Sequence, residues 1–235
     1  MIGLCNPHNP YGVSYRKEDL EHIMALCEKY NLYIMNDEIW SDIIFPEAPF
    51  NSIYLLGNER CRRVMSVFGW SKSFGIAGMR IGCVYTTDPA LFEGMVEKSD
   101  VMSTAGGISS LSQIAGTACM HNYDWVDAFL VHLKGNRAYA VDRLKHMPLV
   151  KAYAPRATYL LYVDIRAFGM KSEDFTDYMK QKVKLALVSG GEKFFGQGSE
   201  GYIRICFATS RGILEEGLNR LAKGIRMLME EKGLH

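Results

Sequence analysis

Long apolar runs are missing from this 235-residue chain. None approaches the ~20 residues that cross a bilayer as a helix, so the sequence carries no expectation of a membrane protein. An excess of one charge is missing too. The 27 basic and 26 acidic residues are mixed along the chain and leave a net charge of +1, which provides neither a stripe for nucleic acid nor a polybasic face for lipid. The expected partner is a small molecule. Cysteine occurs at Cys5, Cys27, Cys61, Cys83, Cys119 and Cys206, far apart and without a Cys-x-x-Cys pair, and the first residues do not read as a signal peptide; reduced thiols in a cytoplasmic protein are expected. The six histidines lack metal-ligand spacing, so no metal centre is expected. Internal repeats and low-complexity tracts are absent as well. What is present is 48% apolar residues, enough to bury a core in one large domain or two smaller ones.

Taken in order, the chain alternates strand and helix patterns. Met1 to Cys5 reads as a strand ended by Asn-Pro punctuation. Lys17 to Tyr30 carries Leu20, Ile23, Met24 and Cys27 at surface-helix spacing. Leu32 to Asn36 reads as a strand that delivers Asp37 at its end. Val64 to Phe68 reads as a strand covered on both faces, and Ile81 to Thr86 as another. Asp88-Pro89 starts a helix running through Val96, and a helical pattern returns from Ser109. Asp124 is expected to cap a long amphipathic helix bearing Val126, Phe129, Leu130, Leu133, Ala140, Val141 and Leu144. Beyond Pro148, strands are expected at Tyr159–Ile165, Ala186–Val188 and Tyr202–Phe207, with helices from Ser172 and Ser210. The pattern predicts an α/β sheet domain over 1–120, an interdomain helix over 121–147 and a small α+β domain over 148–235.

The chemistry concentrates at Val67-Phe68-Gly69-Trp70-Ser71-Lys72-Ser73-Phe74 and at Gly78-Met79-Arg80-Ile81-Gly82. A lysine just past a buried strand lies at the edge where ligands of open α/β sheets collect, and its amine can attack a carbonyl to form a Schiff base. Arg80, returned by a glycine-bearing turn, adds a forked donor suited to phosphate. Together they describe a site for an aldehyde that carries a phosphate. Arg204 stands inside an otherwise apolar strand, where a bidentate carboxylate partner would offset the cost of its charge. Each residue also has a plainer reading: Lys72 as a surface lysine, Asp37 as a strand terminator, Asn9 as a turn residue, Arg204 as one half of a structural ion pair. Glu38 is read as structural. Gly196-Gln197-Gly198-Ser199-Glu200-Gly201 spells a dinucleotide fingerprint, but a strand rather than a helix follows it, and it is read as a turn. Trp70, Trp125, Tyr159 and Tyr162 are read as core.

Ser71-Lys72-Ser73-Phe74 with Gly78-Met79-Arg80-Ile81-Gly82 resembles the cofactor-lysine signature of fold-type I pyridoxal phosphate enzymes of the class I/II aminotransferase type. Asn9-Pro10-Tyr11-Gly12, Asn36-Asp37-Glu38-Ile39 and Tyr202-Ile203-Arg204-Ile205 are similar to three further family segments and occur in the family's order. The resemblance implies a three-layer pyridoxal phosphate transferase fold with an incomplete large domain, followed by the small domain. It implies that Lys72 binds the cofactor aldehyde and moves protons at the substrate Cα, Asp37 meets the pyridine nitrogen, Asn9 the phenolate oxygen, Arg80 and Ser71 the phosphate, and Arg204 the substrate carboxylate. Ala157-Thr158-Tyr159-Leu160 and Asp124–Ala128 resemble the cystathionine β-lyase branch of MalY/PatB type, which implies C–S β-elimination on an amino acid; transamination is the alternative.

Two positions depart from the pattern. Trp40 stands where aminotransferases have a tyrosine and the lyases a histidine, and Gly69 stands where a serine or threonine is expected. The resemblance also covers only the later, larger part of the family fold. The expectation is a homodimer at full length, and a 235-residue chain that by itself is a fragment with exposed apolar sheet, an inactive remnant or interaction module.

Overall fold

The computed structural model of the chain describes residues 1–103 and 106–234. These fall into two compact units. The first comprises 1–9, 13–130 and 156–158, and the second 10–12, 131–155 and the chain from Tyr159 onward.

The first unit begins with β1 (Ile2–Cys5), α1 (Lys17–Lys29) and β2 (Ile34–Asp37). β3 (Val64–Phe68) and β4 (Cys83–Tyr85) complete a sheet of order β1-β2-β3-β4. The first three strands are parallel, with Cys5 opposite Asp37 and Asp37 opposite Val67, while β4 returns antiparallel to β3. Because side chains alternate across a strand, this register puts Leu4, Ile34, Asn36, Val64 and Ser66 on one face, and all five are buried. Leu20, Met24 and Cys27 of α1, together with Ile53 and Cys61, join Leu4, Ile34 and Val64 in the core. The opposite face carries Met35 and Val84, 44% and 53% exposed, with Met65 and Val67 half-buried. The expectation that Val64–Phe68 is covered on both faces is therefore corrected. Apolar β3 residues satisfy a two-sided pattern, but among the described residues α1 and the turn at Ile53–Leu56 pack on one side only.

α2 (Pro89–Lys98) starts as the sequence predicts, with Asp88 accepting from the Leu91 N–H at 2.8 Å. α3 (Ser110–Met120) is capped by Ser109. α4 (Tyr123–Lys145) starts one residue before Asp124, so Asp124 lies in the first turn and faces the helix dipole instead of serving as N-cap. The division between the two units passes through α4 after Leu130.

The second unit holds β5 (Lys151–Ala152), β6 (Leu160–Asp164), α5 (Ser172–Val183), β7 (Val188–Ser189), α6 (Glu192–Phe195), β8 (Tyr202–Cys206) and α7 (Arg211–Lys232). Its antiparallel sheet runs β5-β6-β8-β7. Leu161, Val163, Ile203 and Ile205 share a buried face. Helices α5 and α7 pack together, and Gly224 permits this because a Cβ there would lie 2.4 Å from the Met179 sulfur. The glycine-rich stretch before β8 is a turn, with Gly196, Gly198 and Gly201 all at φ near +80°, where only glycine is comfortable.

Since Leu20 is fully buried and Leu26 on the same helix is 50% exposed, Leu20→Ala is expected to lower unfolding free energy by about 2–5 kcal/mol and Leu26→Ala by no more than about 0.5 kcal/mol. Urea titration followed by circular dichroism measures both; equal losses would mean that α1 does not anchor this core.

Candidate active site

Three parallel neighbours end level with one another, and each carries one of the expected groups at or just past its carboxyl end. Asn9 follows β1, Asp37 ends β2 and Lys72 follows β3. In open α/β sheets that edge is where ligands bind, because the strand ends leave the crevice between crossovers unfilled.

Asp37 is half-buried on the less covered sheet face, and its Oδ1 accepts the Ile39 N–H at 3.0 Å, which fixes the carboxylate. The Cys5 thiol opposite it is pushed up by burial, drawn down by a backbone bond from Asn9 and pushed up again by the Asp37 carboxylate. One thiol thus senses both neighbours, so the Asn9 turn and Asp37 are adjacent. The residue that follows Asp37 anchors the end of β2. Glu38 is 4% exposed; its Oε1 accepts from Asn36 Nδ2 at 2.9 Å and Ser52 Oγ at 2.7 Å, and its Oε2 from the Tyr85 hydroxyl at 2.9 Å. Asn36 Nδ2 also reaches Ser66 Oγ at 2.8 Å. The Tyr85 hydroxyl is held well above the usual phenol range by burial and by the facing Glu38 carboxylate. Glu38 therefore ties β2 to β3, β4 and the Ser52 turn, which is the structural role expected of it.

Lys72 is half-buried in a turn closed by the Phe74 N–H donating to the Trp70 carbonyl at 2.9 Å. Its Nζ lies 5.5 Å from the centroid of the Trp40 ring, within reach of the ring's negative face. Trp40, 4% exposed, is one turn past Asp37, so the departure at this position replaces a hydroxyl by an aromatic wall for the lysine. Ser73 pins the same turn, its Oγ donating to Asp42 Oδ2 at 2.7 Å. The Tyr123 hydroxyl donates to that oxygen at 3.4 Å, and the Trp70 indole N–H to Tyr123 at 3.3 Å. Burial raises the Asp42 carboxyl above its ordinary value, partly offset by the bonds from Ser73 and Tyr123.

At the second departure the backbone is closely packed. A Cβ on Gly69 would lie 3.3 Å from the Gly82 Cα and the Ile81 carbonyl, and one on Gly82 would lie 2.9 Å from the Phe68 carbonyl. The backbones leaving β3 and entering β4 meet there. Beyond them Arg80 closes a short turn at Ala77–Met79 in the left-handed region at φ 52°, exposed to solvent. Helix α3 rests on this turn, with Ser112 Oγ donating to the Met79 carbonyl at 2.6 Å.

The sequence pattern of the class I and II aminotransferases matches residues 1–221. This chain belongs to the class I and II aminotransferase family. It is 30% identical over 228 residues to an aspartate aminotransferase of Pyrococcus horikoshii, an alignment covering 96% of this chain and 56% of that enzyme. It is also 30% identical over 229 residues to the cystathionine β-lyase PatB of Bacillus subtilis, covering 93% and 56%. Among solved structures, cystalysin from Treponema denticola, which contains pyridoxal 5′-phosphate, superposes with a TM-score of 0.89 at 26% identity and covers 96% of this chain and 57% of its own. The fold is that of the pyridoxal phosphate-dependent transferases, and the family is pyridoxal phosphate-dependent. This aminotransferase-family chain spans little more than half the length of those relatives.

Within the family chain's first unit, Asn9, Asp37, Ser71 and Lys72 gather at the strand ends, Ser71 being half-buried beside the lysine. The donor set fits the phosphorylated aldehyde: an amide and a fixed carboxylate for its ring, an amine for its carbonyl, a hydroxyl and a guanidinium for its phosphate. Arg204 belongs to the second unit, on β8, where its guanidinium lies 5.4 Å from the Phe195 ring centroid; it is half-buried on the sheet's outer face, not inside the apolar core. All six cysteines are free thiols. No helix among the described residues is long and apolar enough to cross a membrane. Two core expectations are corrected. Trp125 is 48% exposed and stacks on Phe74 and Phe129, and Tyr162 lies half-buried on the outer face of the second sheet, pushed up to about 12 chiefly by burial. Aromatic rings satisfy an apolar pattern whether they fill a core or cluster at its margin. Asp42 and Ser73 were missed, since a lone Asp and Ser in loops carry no periodic or motif signal.

The Asp42 shift has a definite sign. A carboxyl whose folded value is raised binds its proton more readily folded than unfolded, so its contribution is fully present at low pH and is lost as pH rises from the ordinary value through the raised one. Wild type is therefore expected to lose stability relative to Asp42→Asn as pH rises above the ordinary carboxylate range. Paired urea titrations from acid to neutral pH test it, and a gap that widens in the opposite sense would show that the charged form is favoured. Tyr85→Phe, which removes a donor from buried Glu38, is expected to cost about 1–3 kcal/mol in the same assay.

Proposed function

We propose that the protein of which this chain forms part is a pyridoxal phosphate-dependent enzyme acting on α-amino acids, and that Asn9, Asp37 and Lys72 form its catalytic edge. The observation that carries this reading is their arrival together at the ends of three adjacent parallel strands. When bound, pyridoxal phosphate supplies an electron sink for negative charge developing at the substrate Cα. The side chains provide the rest. The Asp37 carboxylate would keep a proton on the pyridine nitrogen, and its bond from Ile39 aims it. Asn9 would donate its amide to the phenolate oxygen, while Ser71 and Arg80 would neutralise the phosphate. Lys72 would bind the aldehyde and, once displaced by the substrate amine, carry the proton to and from Cα. The Trp40 ring keeps one side of that amine free of water, and the Ser73–Asp42 bond keeps the turn from swinging. Arg204 would take the substrate carboxylate as a bidentate pair. A homodimer is the assembly proposed for the whole protein.

For the reaction, we favour β-elimination of cystathionine or another S-substituted cysteine. Loss of the Cα proton expels the thiolate from Cβ, the thiolate takes a proton, and water hydrolyses the remaining enamine-derived imine to pyruvate and ammonia. The support is the Ala157–Leu160 and Asp124–Ala128 segments and the relative PatB; Trp40 matches neither branch and favours neither. Transamination is the second reading, favoured by the aspartate aminotransferase at equal identity.

Borohydride reduction of protein incubated with pyridoxal phosphate, followed by peptide mapping, is expected to place the pyridoxyl group on Lys72, and Lys72→Arg to lower turnover by on the order of 10³-fold. Labelling at another lysine would refute the assignment. Pyruvate formed from cystathionine with no keto acid added identifies the lyase, whereas product only with a keto acid acceptor identifies the aminotransferase.

A further inference from the structure

The turn that carries Lys72 is held on both flanks by a side chain that none of the motifs names. Tyr123 is the first residue of α4. Its hydroxyl accepts the Trp70 indole N–H at 3.3 Å and donates to Asp42 Oδ2 at 3.4 Å, and that same Asp42 oxygen accepts the Ser73 hydroxyl at 2.7 Å. The Tyr123 ring meets Phe74 edge-on at 5.8 Å. Trp70 and Phe74 stand two residues before and after the lysine, and Ser73 follows it directly. The contacts of one phenol, direct or through Asp42, therefore reach every residue of the turn from Trp70 to Phe74 except Ser71 and Lys72 themselves.

Both supports are fixed. Asp42 sits between Trp40 and Ile43, 4% and 0% exposed, in a loop closed by the Ile43 N–H donating to the Trp40 carbonyl at 2.9 Å. Tyr123 rides on a helix whose Val126, one turn on, is 3% exposed, and Trp125 of the same turn stacks on Phe74 at 5.6 Å. Burial and then the Asp42 carboxylate raise the Tyr123 hydroxyl above its ordinary value, which keeps it a donor. Hydrogen bonds of this length, on a residue that is 39% exposed, contribute little to overall stability. Their consequence is order. A lysine stem is flexible, and its amine is confined only when the backbone beneath it is; here the Trp40 ring faces the amine while the turn is tied down on either side. Confinement in advance removes the cost of ordering from the step in which an aldehyde is bound.

We propose that Tyr123 is a positioning residue for Lys72: from the start of α4 it holds the turn on both sides of the lysine, so that the amine is presented in one place to the cofactor aldehyde. The inference rests on Lys72 as the cofactor lysine and holds for elimination and transamination alike. It adds to the Ser73–Asp42 bond a second element of the same unit on which the lysine depends.

The test compares wild type with Tyr123→Phe, which keeps the ring on Phe74 and deletes both hydroxyl bonds. In cofactor-free protein carrying isotope-labelled lysine, the variant is expected to raise the mobility of the Lys72 ε-carbon, read by NMR relaxation, and to leave that of Lys180, exposed on α5, unchanged. With pyridoxal phosphate added, the equilibrium for imine formation at Lys72, trapped by borohydride and located by peptide mapping, is expected to weaken about threefold or more. Trp70→Phe, which deletes the other bond to the same hydroxyl, is expected to move both readouts in the same direction. Ser73→Ala is expected to weaken imine formation too, and its combination with Tyr123→Phe to weaken it by less than the product of the two, because both act through one Asp42 oxygen. Circular dichroism reports whether each variant is folded. A tyrosine that serves stability alone would lower the urea midpoint and leave the Lys72 readouts where they are. Unchanged Lys72 mobility and imine formation in folded Tyr123→Phe and Trp70→Phe overturns the inference while leaving Lys72 as the cofactor lysine. Fully multiplicative effects of Tyr123→Phe and Ser73→Ala overturn the shared path through Asp42. Labelling of wild type at another lysine, or at none, overturns the cofactor-lysine reading and this inference with it.

Discussion

The buried Glu38 carboxylate is the point on which the first unit turns. A charge taken out of water is costly unless its oxygens are satisfied, and here an amide and two hydroxyls from β2, β4 and the Ser52 turn converge on it. Those donors lie up to 47 positions from Glu38 along the chain, so the carboxylate can be satisfied only when the strands have reached their native register. The same register leaves Asp37, the next residue back, on the opposite face with its oxygen aimed by the Ile39 N–H. Satisfying one acid thus sets the placement of the other.

Much of the architecture could be read from residues alone. β3 spans Val64–Phe68 because an apolar run bounded by Arg63 and Gly69 admits few alternatives, and α2 begins at Asp88-Pro89 because that pair is both cap and first turn. Lys72 was legible since a lysine after a buried strand is chemically conspicuous. Contacts across large sequence gaps were not. Asp42 reaches Ser73 31 positions away, and nothing local to either residue reports the other. The aromatic positions were misread for a related reason: pattern tells that Tyr162 and Trp125 are apolar surfaces, while their place is decided by which element covers them.

Trp40 shows how one substitution can alter a site without altering its frame. The indole is buried and its ring faces the Lys72 amine, so the position one turn past Asp37 still addresses the strand-end edge, but through a π face instead of a hydroxyl. A ring of that size also limits where the lysine stem can lie, and narrows its conformations in a way a small polar group would not.

The close approach of Gly69 and Gly82 carries a consequence for how this sequence can change. Each glycine is crowded by the backbone beside the other, so a serine at position 69 asks the backbone entering β4 to give slightly, and a side chain at position 82 asks more of the Phe68 carbonyl. Changes at the two positions are coupled through a shared backbone displacement, and their effects on stability will not add. A hydroxyl at position 69 therefore depends on how far the backbone entering β4 can give, which makes the strand's position, rather than the chemistry around Lys72, the constraint on that exchange.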